Sequence, residues 1–255
     1  MSTKLKIAAA VAAAVLLSAC SSPKHEPMPL VNFTPSMEVT EVWSKGLSSA
    51  EGFLVPAVYD DMVFAAGGKT LTRLNARTGE TEWSVSFDSP ITGGVGSDGY
   101  VTAVGLWDGN LEVVDAEGKV SWEKKLTTEL ASPPVVSHGL VIARTMDTRV
   151  SAFEASSGEL QWTYQKSQPA LTVRLPTRML AHDNFLLVGQ PNGHIVILDI
   201  ASGKPVFEFQ VAQAKGVTEV ERLVDVVGAP AFSENLVCAA AFQGAVTCVD
   251  STNAQ

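Results

Sequence analysis

Short runs of apolar or alternating residues recur along the chain after residue 38, with turn residues between them. Val135-Val136, Leu140-Val-Ile-Ala143 and Phe185-Leu-Leu-Val188 are typical of short strands, because β-branched and large apolar side chains pack well on a sheet. Dipeptides suited to tight hairpins, in which glycine takes a positive φ, separate several runs: Asp108-Gly109, Asn192-Gly193 and Gln243-Gly244. No helical periodicity follows residue 20, so the pattern predicts an all-β protein.

The runs belong to a repeat of about 40 residues. In each copy a strand ends in Asn, Asp or Glu, a glycine follows in the next turn, and an aromatic residue comes four residues after that glycine. The glycine and aromatic pairs are Gly79 with Trp83, Gly118 with Trp122, Gly158 with Trp162, and Gly203 with Phe207. Trp43 lies 40 residues before Trp83, and a fifth copy begins at residues 245–250.

This repeat predicts a β-propeller of four-stranded blades. One copy has room for four strands, which is one blade, and a blade buries both faces only by stacking on its neighbours. The tryptophan supplies a large flat surface for packing between sheets. A β-sandwich also has closely spaced strands, but it does not repeat a Gly-x-x-x-Trp step at a fixed period. We assign about four and a half repeats to residues 39–250, and residues 251–255 form a non-repeat tail.

The N-terminus predicts a lipoprotein signal peptide over residues 1–19. Lys4 and Lys6 precede an apolar run from Ile7 to Leu17, which is too short to span a membrane. Leu17-Ser-Ala-Cys20 then reads as a lipobox, with Cys20 as the site of lipid attachment. An ordinary secretory signal with a chance cysteine is the alternative. Ser21 in place of Asp favours sorting to the outer membrane, and residues 20–38 have the composition of a flexible tether.

Charge and composition narrow the function. Without residues 1–19 the chain has 16 basic and 27 acidic side chains, a net charge of −11, which disfavours binding to nucleic acid. The four histidines form no ligand-spaced cluster, and no nucleophile or phosphate-loop motif is present, so we expect neither a metal nor an enzyme. Cys238 and Cys248 lie on neighbouring predicted strands. Two unpaired core thiols are the favoured interpretation, and a disulfide is the alternative.

Two insertions interrupt the period, at residues 163–180 and 210–228. In repeat proteins the blades are committed to packing, so binding functions concentrate in such insertions.

The repeat resembles that of pyrroloquinoline-quinone-type propellers, which include quinoprotein dehydrogenases. Those enzymes have adjacent cysteines, which this chain lacks. The chain is more similar to the BamB family of lipoproteins in the outer-membrane β-barrel assembly machinery. Three stretches carry that resemblance: Val39-Thr-Glu-Val-Trp43, Leu171-Thr-Val-Arg174 and Gly216-Val-Thr-Glu-Val-Glu-Arg-Leu-Val-Asp225.

The resemblance implies an eight-bladed propeller without cofactor or enzymatic activity, anchored by lipid at the periplasmic face of the cell outer membrane. It implies docking on the periplasmic POTRA domains of BamA, contact with other assembly-machinery components, and unfolded outer-membrane proteins as further candidate partners. The partner-binding residues carried over are Leu171, Val173, Arg174 and Asp225. The first three have the composition of a binding hot spot, with aliphatic anchors and a guanidinium that can hold a carboxylate. The alternative is that Leu171 and Val173 pack beneath their own loop. The chain departs from the family at Val173, where leucine is usual, and at Val227, where a second acid is usual. A periplasmic quinoprotein-like enzyme and a non-functional truncated fragment remain the alternatives.

The number of repeats leaves two possible arrangements. Residues Val39–Ser44 could supply the missing strand of the fifth copy and close a five-bladed ring. Blades shaped for an eight-bladed ring would overpack the centre of such a ring. We therefore expect an open arc of blades.

Overall fold

The computed structural model describes residues 30–32, 34–49, 54–167, 169, 171–173, 175 and 177–250. The chain divides into two compact units, Met1–Glu41 and Val42–Gln255, and all strands of the described residues lie in the second. Among the described residues, no helix is long and apolar enough to cross a membrane. Cys20, the signal peptide and the tail at 251–255 lie outside the described residues.

The second unit is built of antiparallel sheets whose strands follow chain order, which confirms the all-β prediction. The first sheet has β1 (Ala57–Tyr59), β2 (Met62–Gly67), β3 (Thr70–Asn75) and β4 (Thr81–Ser86). The second has β5 (Ile91–Ser97), β6 (Thr102–Leu106), β7 (Asn110–Val114) and β8 (Val120–Lys125). The third has β9 (Val135–Ser137), β10 (Leu140–Arg144), β11 (Val150–Glu154) and β12 (Leu160–Tyr164). The fourth has β13 (Leu180–His182), β14 (Phe185–Gln190), β15 (His194–Asp199) and β16 (Pro205–Gln210), and the fifth has β17 (Val226–Ser233), β18 (Leu236–Ala241) and β19 (Val246–Asp250).

The core lies between consecutive sheets. One cluster joins the first and second sheets around Phe64, Leu71 and Val104, and another joins the second and third around Leu111 and Val141. The third and fourth sheets share a cluster, and a smaller one joins the fourth and fifth. Each of the first four blades thus buries an apolar face against the next blade, which is the packing of a propeller.

The repeated tryptophan connects each of the first three blades to the following one. The indole Nε1 of Trp83 donates to the carbonyl of Ala116 at 2.9 Å, and that of Trp162 donates to Ile200 at 2.8 Å. The indole ring lies on the glycine of the turn that contains the acceptor carbonyl, with Trp83 on Gly118 and Trp162 on Gly203. These glycines have positive φ and no side chain, so the ring can lie directly against the backbone. The Gly and Trp spacing in the sequence is therefore a contact between neighbouring blades.

The predicted hairpins are present, with one difference. Gly109 has φ 82°, and Asn192 and Gly193 have φ 62° and 74°. In the turn between β18 and β19, however, Gln243 takes the positive φ of 50°. Gly244 serves a different purpose there. A Cβ at this position would lie 2.7 Å from the Cβ of Ala212, so the absence of a side chain allows the two backbone segments to approach.

The preference for two unpaired core thiols was wrong. Cys238 and Cys248 face each other in the register of β18 and β19 and form a disulfide. Cys248 is exposed and Cys238 only half-buried, because both lie in the last sheet, which no further described blade covers. The hairpin predicted at residues 242–244 brings the two strands together, as the alternative required.

The closed five-bladed ring is not formed. The fifth sheet has three strands, and none of the core clusters among the described residues joins it to the first sheet. Trp43 lies instead against the first sheet, where its Nε1 donates to Ala76 at 2.8 Å and its ring lies over Gly79. It occupies the place that the tryptophan of a preceding blade would take.

Candidate partner-binding site

The two insertions follow the last strands of the third and fourth blades. The first runs from β12 to β13 and the second from β16 to β17. A parallel bridge pairs Thr177, at the end of the first insertion, with Gly228 in β17. The insertions predicted from the broken period thus meet at the border of the third, fourth and fifth blades.

Asp225 connects the two insertions from a buried position, with 6 % of its surface exposed. Its carboxylate accepts hydrogen bonds from the backbone N–H of Val173 at 2.6 Å and of Asn192 at 3.3 Å. Its own carbonyl accepts from the N–H of Phe242 at 2.9 Å. Backbone donors to a buried carboxylate are strong hydrogen bonds. Asp225 therefore fixes the first insertion to the fourth and fifth blades.

Arg144, the last residue of β10, lies buried beneath the first insertion. Its Nη1 donates to the hydroxyl of Thr177 at 3.1 Å. Burial lowers the pKa of Arg144 to about 10, against the opposing effect of the Asp225 carboxylate. Sequence reasoning did not single out this arginine. Its one signal was a charged residue directly after the apolar run Leu140-Val-Ile-Ala143.

A turn in the second insertion explains the Gly216–Asp225 stretch. The Glu221 carboxylate accepts from the N–H groups of Val217 and Thr218, and the Thr218 hydroxyl accepts from the N–H of Glu221. This reciprocal pair is a capping box. The backbone hydrogen bonds from Thr218 and Val217 lower the pKa of Glu221. A Cβ at Gly216 would lie 2.4 Å from the Cβ of Glu221, so the turn requires glycine there.

Apolar side chains of both insertions face solvent. Leu171 and Leu175 are each 42 % exposed, and Val217 and Val220 are exposed further. Leu171 and Leu175 lie on either side of Val173, whose backbone Asp225 holds. Exposed apolar residues on an anchored segment are typical of a protein-binding surface.

The predicted site residues have different environments. Leu171 is exposed, Val173 is half-buried and bound through its backbone, and Arg174 lies outside the described residues. Asp225 is buried and serves as an anchor of the insertions. Leu175, which the sequence analysis did not single out, is as exposed as Leu171.

Known proteins are similar to this chain in sequence and in fold. The family model described as outer membrane protein assembly factor BamB matches residues 67–255. The BamB of Burkholderia pseudomallei is 38 % identical over 251 residues, which are 96 % of this chain and 66 % of the relative. The crystal structure of BamB from Moraxella catarrhalis is 28 % identical with a TM-score of 0.72, covering 79 % of this chain and 62 % of that one. The chain thus spans a little under two thirds of the length of these relatives.

An enzyme also has a similar fold. A quinohemoprotein alcohol dehydrogenase of Pseudomonas putida HK5 has a TM-score of 0.59 at 17 % identity, over 82 % of this chain and 42 % of the enzyme. This likeness concerns the fold alone.

Proposed function

The chain belongs to the BamB family of outer membrane protein assembly factors, and we propose that it is a non-enzymatic scaffold for the assembly and insertion of β-barrel proteins in the outer membrane. Its binding surface is the first insertion, with Leu171 and Leu175 as apolar anchors. The partner is BamA, docked through its periplasmic POTRA domains, together with other components of the machinery. Unfolded outer-membrane proteins are the further candidate ligand.

The observation that carries this proposal is an exposed apolar segment held by a buried carboxylate. Asp225 bonds the backbone of Val173, so Leu171 and Leu175 are presented by a segment fixed at its middle. A segment held in this way loses little conformational freedom on docking, which favours affinity. Arg174 and Val173 complete the partner-binding set, with Arg174 as the group that binds a carboxylate.

Capture from solubilised outer membranes tests the proposal. The full chain should retain BamA, and Leu171→Ser should weaken retention by about tenfold, the usual effect of an apolar hot spot. Val120→Ser is the matched control, because Val120 is 40 % exposed on β8 of the second blade, a strand that leads into neither insertion. Equal losses from both variants, or no BamA retained by the folded chain, would contradict the proposal.

The anchor belongs to the same proposal. Cys20 carries the lipid that holds the protein at the periplasmic face of the outer membrane. Cys20→Ala should move the protein from membrane to soluble fractions after a high-salt wash, and Cys20→Ala together with Leu171→Ser should do so most completely. Unchanged sedimentation of the double variant would refute lipid anchoring at Cys20.

A further inference from the structure

A small cavity lies between the first insertion and Asp225. It has a volume of about 50 Å³, and its lining includes Arg144, Gln190, Val173, Leu175 and Asp225. Arg144 and Gln190 are 5 % and 2 % exposed. Among the described residues, Arg144 Nε and Gln190 Nε2 are both buried and have no hydrogen-bond partner. Both side chains that carry an unpaired donor therefore line the same cavity.

Asp225 does not satisfy these donors. Its two carboxylate oxygens accept hydrogen bonds from Val173 N and Asn192 N. In the described part of the chain, no ion pair within 4.0 Å joins it to Arg144. A guanidinium has five N–H donors, of which Thr177 uses one. A buried donor without an acceptor destabilises its surroundings, and an acceptor that enters the cavity removes that cost.

The chemistry of the donors selects the ligand. The two unpaired atoms, Arg144 Nε and Gln190 Nε2, are both N–H donors on planar groups, so the matching ligand is a planar group with two acceptor oxygens. A single water needs roughly 10–15 Å³ of such a cavity, so this one has room for the three heavy atoms of a carboxylate. Leu175 lines the cavity and is also exposed, which places the opening beside the proposed docking segment.

We propose that this cavity binds the carboxylate of an acidic side chain, aspartate or glutamate, of the protein that docks on the first insertion. The inference rests on the proposed function for the source of the side chain, whereas the site itself is defined by Arg144 and Gln190. Arg144 then interacts electrostatically with both the incoming carboxylate and Asp225, and Gln190 donates the second hydrogen bond. The docking segment thus has an apolar contact at its surface and a charged contact beneath it.

Sodium acetate is the probe, added to the full chain in detergent micelles with the arginine Nε–H signals followed by NMR. The Arg144 signal should shift and saturate, with half-saturation on the order of 10 mM, as expected for a ligand of four heavy atoms. Sodium chloride at equal ionic strength should leave it in place. Gln190→Met should raise the half-saturation concentration about tenfold, the effect of one charge-assisted hydrogen bond. Arg178→Met is the control, because Arg178 is exposed and lines a neighbouring cavity but not this one.

The outcomes separate the site from the docking. A signal that does not move with acetate, that moves equally with chloride, or that responds unchanged in Gln190→Met overturns the carboxylate site. Gln190→Met retains Arg144 and Asp225, so a folding failure of an arginine variant does not affect the test. If acetate saturates the site and BamA retention falls in proportion, the acidic side chain of the partner is supported. If retention is unchanged at saturation, that source is overturned. A chain that binds acetate and captures no BamA contradicts the proposed function alone.

Discussion

At the scale of single residues, Asp225 is a structural anchor as well as a candidate binding residue. Asp225→Ala removes the acceptor of two backbone N–H groups and leaves Arg144 buried without the carboxylate that favours its charged form. We expect the free energy of unfolding to fall by about 2–4 kcal/mol. Urea denaturation measures it, with Asp61→Ala as the control for loss of an exposed ion pair to Arg77, which should cost less than about 1 kcal/mol. Equal costs would show that Asp225 is not an anchor.

Glu112 is a buried carboxyl group whose ionisation makes stability depend on pH. The residue is paired with Glu123 between β7 and β8. At the corresponding positions, the first and third blades have pairs of hydroxyl groups, Thr72 with Ser84 and Ser151 with Thr163. Burial, then the charge and hydrogen bond of Glu123, and then Asp108 and Asp88, raise the pKa of Glu112 from 4.5 to about 7. The folded state thus binds more protons than the unfolded state between these values, so the contribution of Glu112 to stability is lost as pH rises from 4.5 to 7.

Glu112→Gln removes this dependence. Above pH 7 the variant should be more stable than the natural chain by about 1–2 kcal/mol, a value discounted because Glu123 is solvent-exposed. The two chains should converge near pH 4.5, where Glu112 is protonated. Urea denaturation over this pH range tests the difference, which also cancels the opposite effects of Asp147, Asp199 and Glu221, whose pKa values are lowered. A constant difference at all pH values would contradict the raised pKa.

At the scale of the elements, the turn glycine and the tryptophan of the preceding blade act as one unit. A Cβ at Gly203, where φ is 67°, would lie 2.4 Å from Cε3 of Trp162. Gly139 has a similar φ of 72° but no atom within 4 Å of its Cβ position. Gly139→Ala should therefore cost about 1 kcal/mol from backbone strain alone, and Gly203→Ala about 1–3 kcal/mol more from overpacking. Equal losses in thermal denaturation would show that the indole contact does not constrain the turn.

At the scale of the whole molecule, no further blade covers the fifth sheet in the described part of the chain. The middle strands β6 and β11 are almost wholly buried, whereas β17 and β19 are largely accessible, with Val246 at 72 % and Leu236 at 47 % exposure. Exposed apolar faces and an unpaired edge strand drive association. We expect the 255-residue chain to bind the dye ANS strongly and to dimerise or aggregate. A compact monomer by light scattering, with little dye binding and a cooperative melt, would contradict this arrangement.

The sequence by itself determined the blades. The hairpin dipeptides, the short apolar runs and the Gly-x-x-x-Trp step act within one repeat or between neighbours in the chain, so the period alone predicts the sheets and their order. It also indicated where the insertions lie, because they interrupt that period. Leu171 and Asp225 were singled out by the resemblance to a known family, and their environments did not follow from it.

Only the tertiary structure decided how the insertions are held. Asp225 meets the backbone of Val173 across 52 residues, and Arg144 meets Thr177 across 33. No periodicity encodes such pairings, because they depend on how three blades converge. The Cys238 and Cys248 disulfide was misjudged for the same reason, since burial by a further blade is a property of the stack and not of the strand. The position of Trp43 also depended on how the blades stack. Its spacing from Trp83 allowed its segment either to complete the fifth blade or to lie against the first, and its packing on Gly79 places it at the first blade.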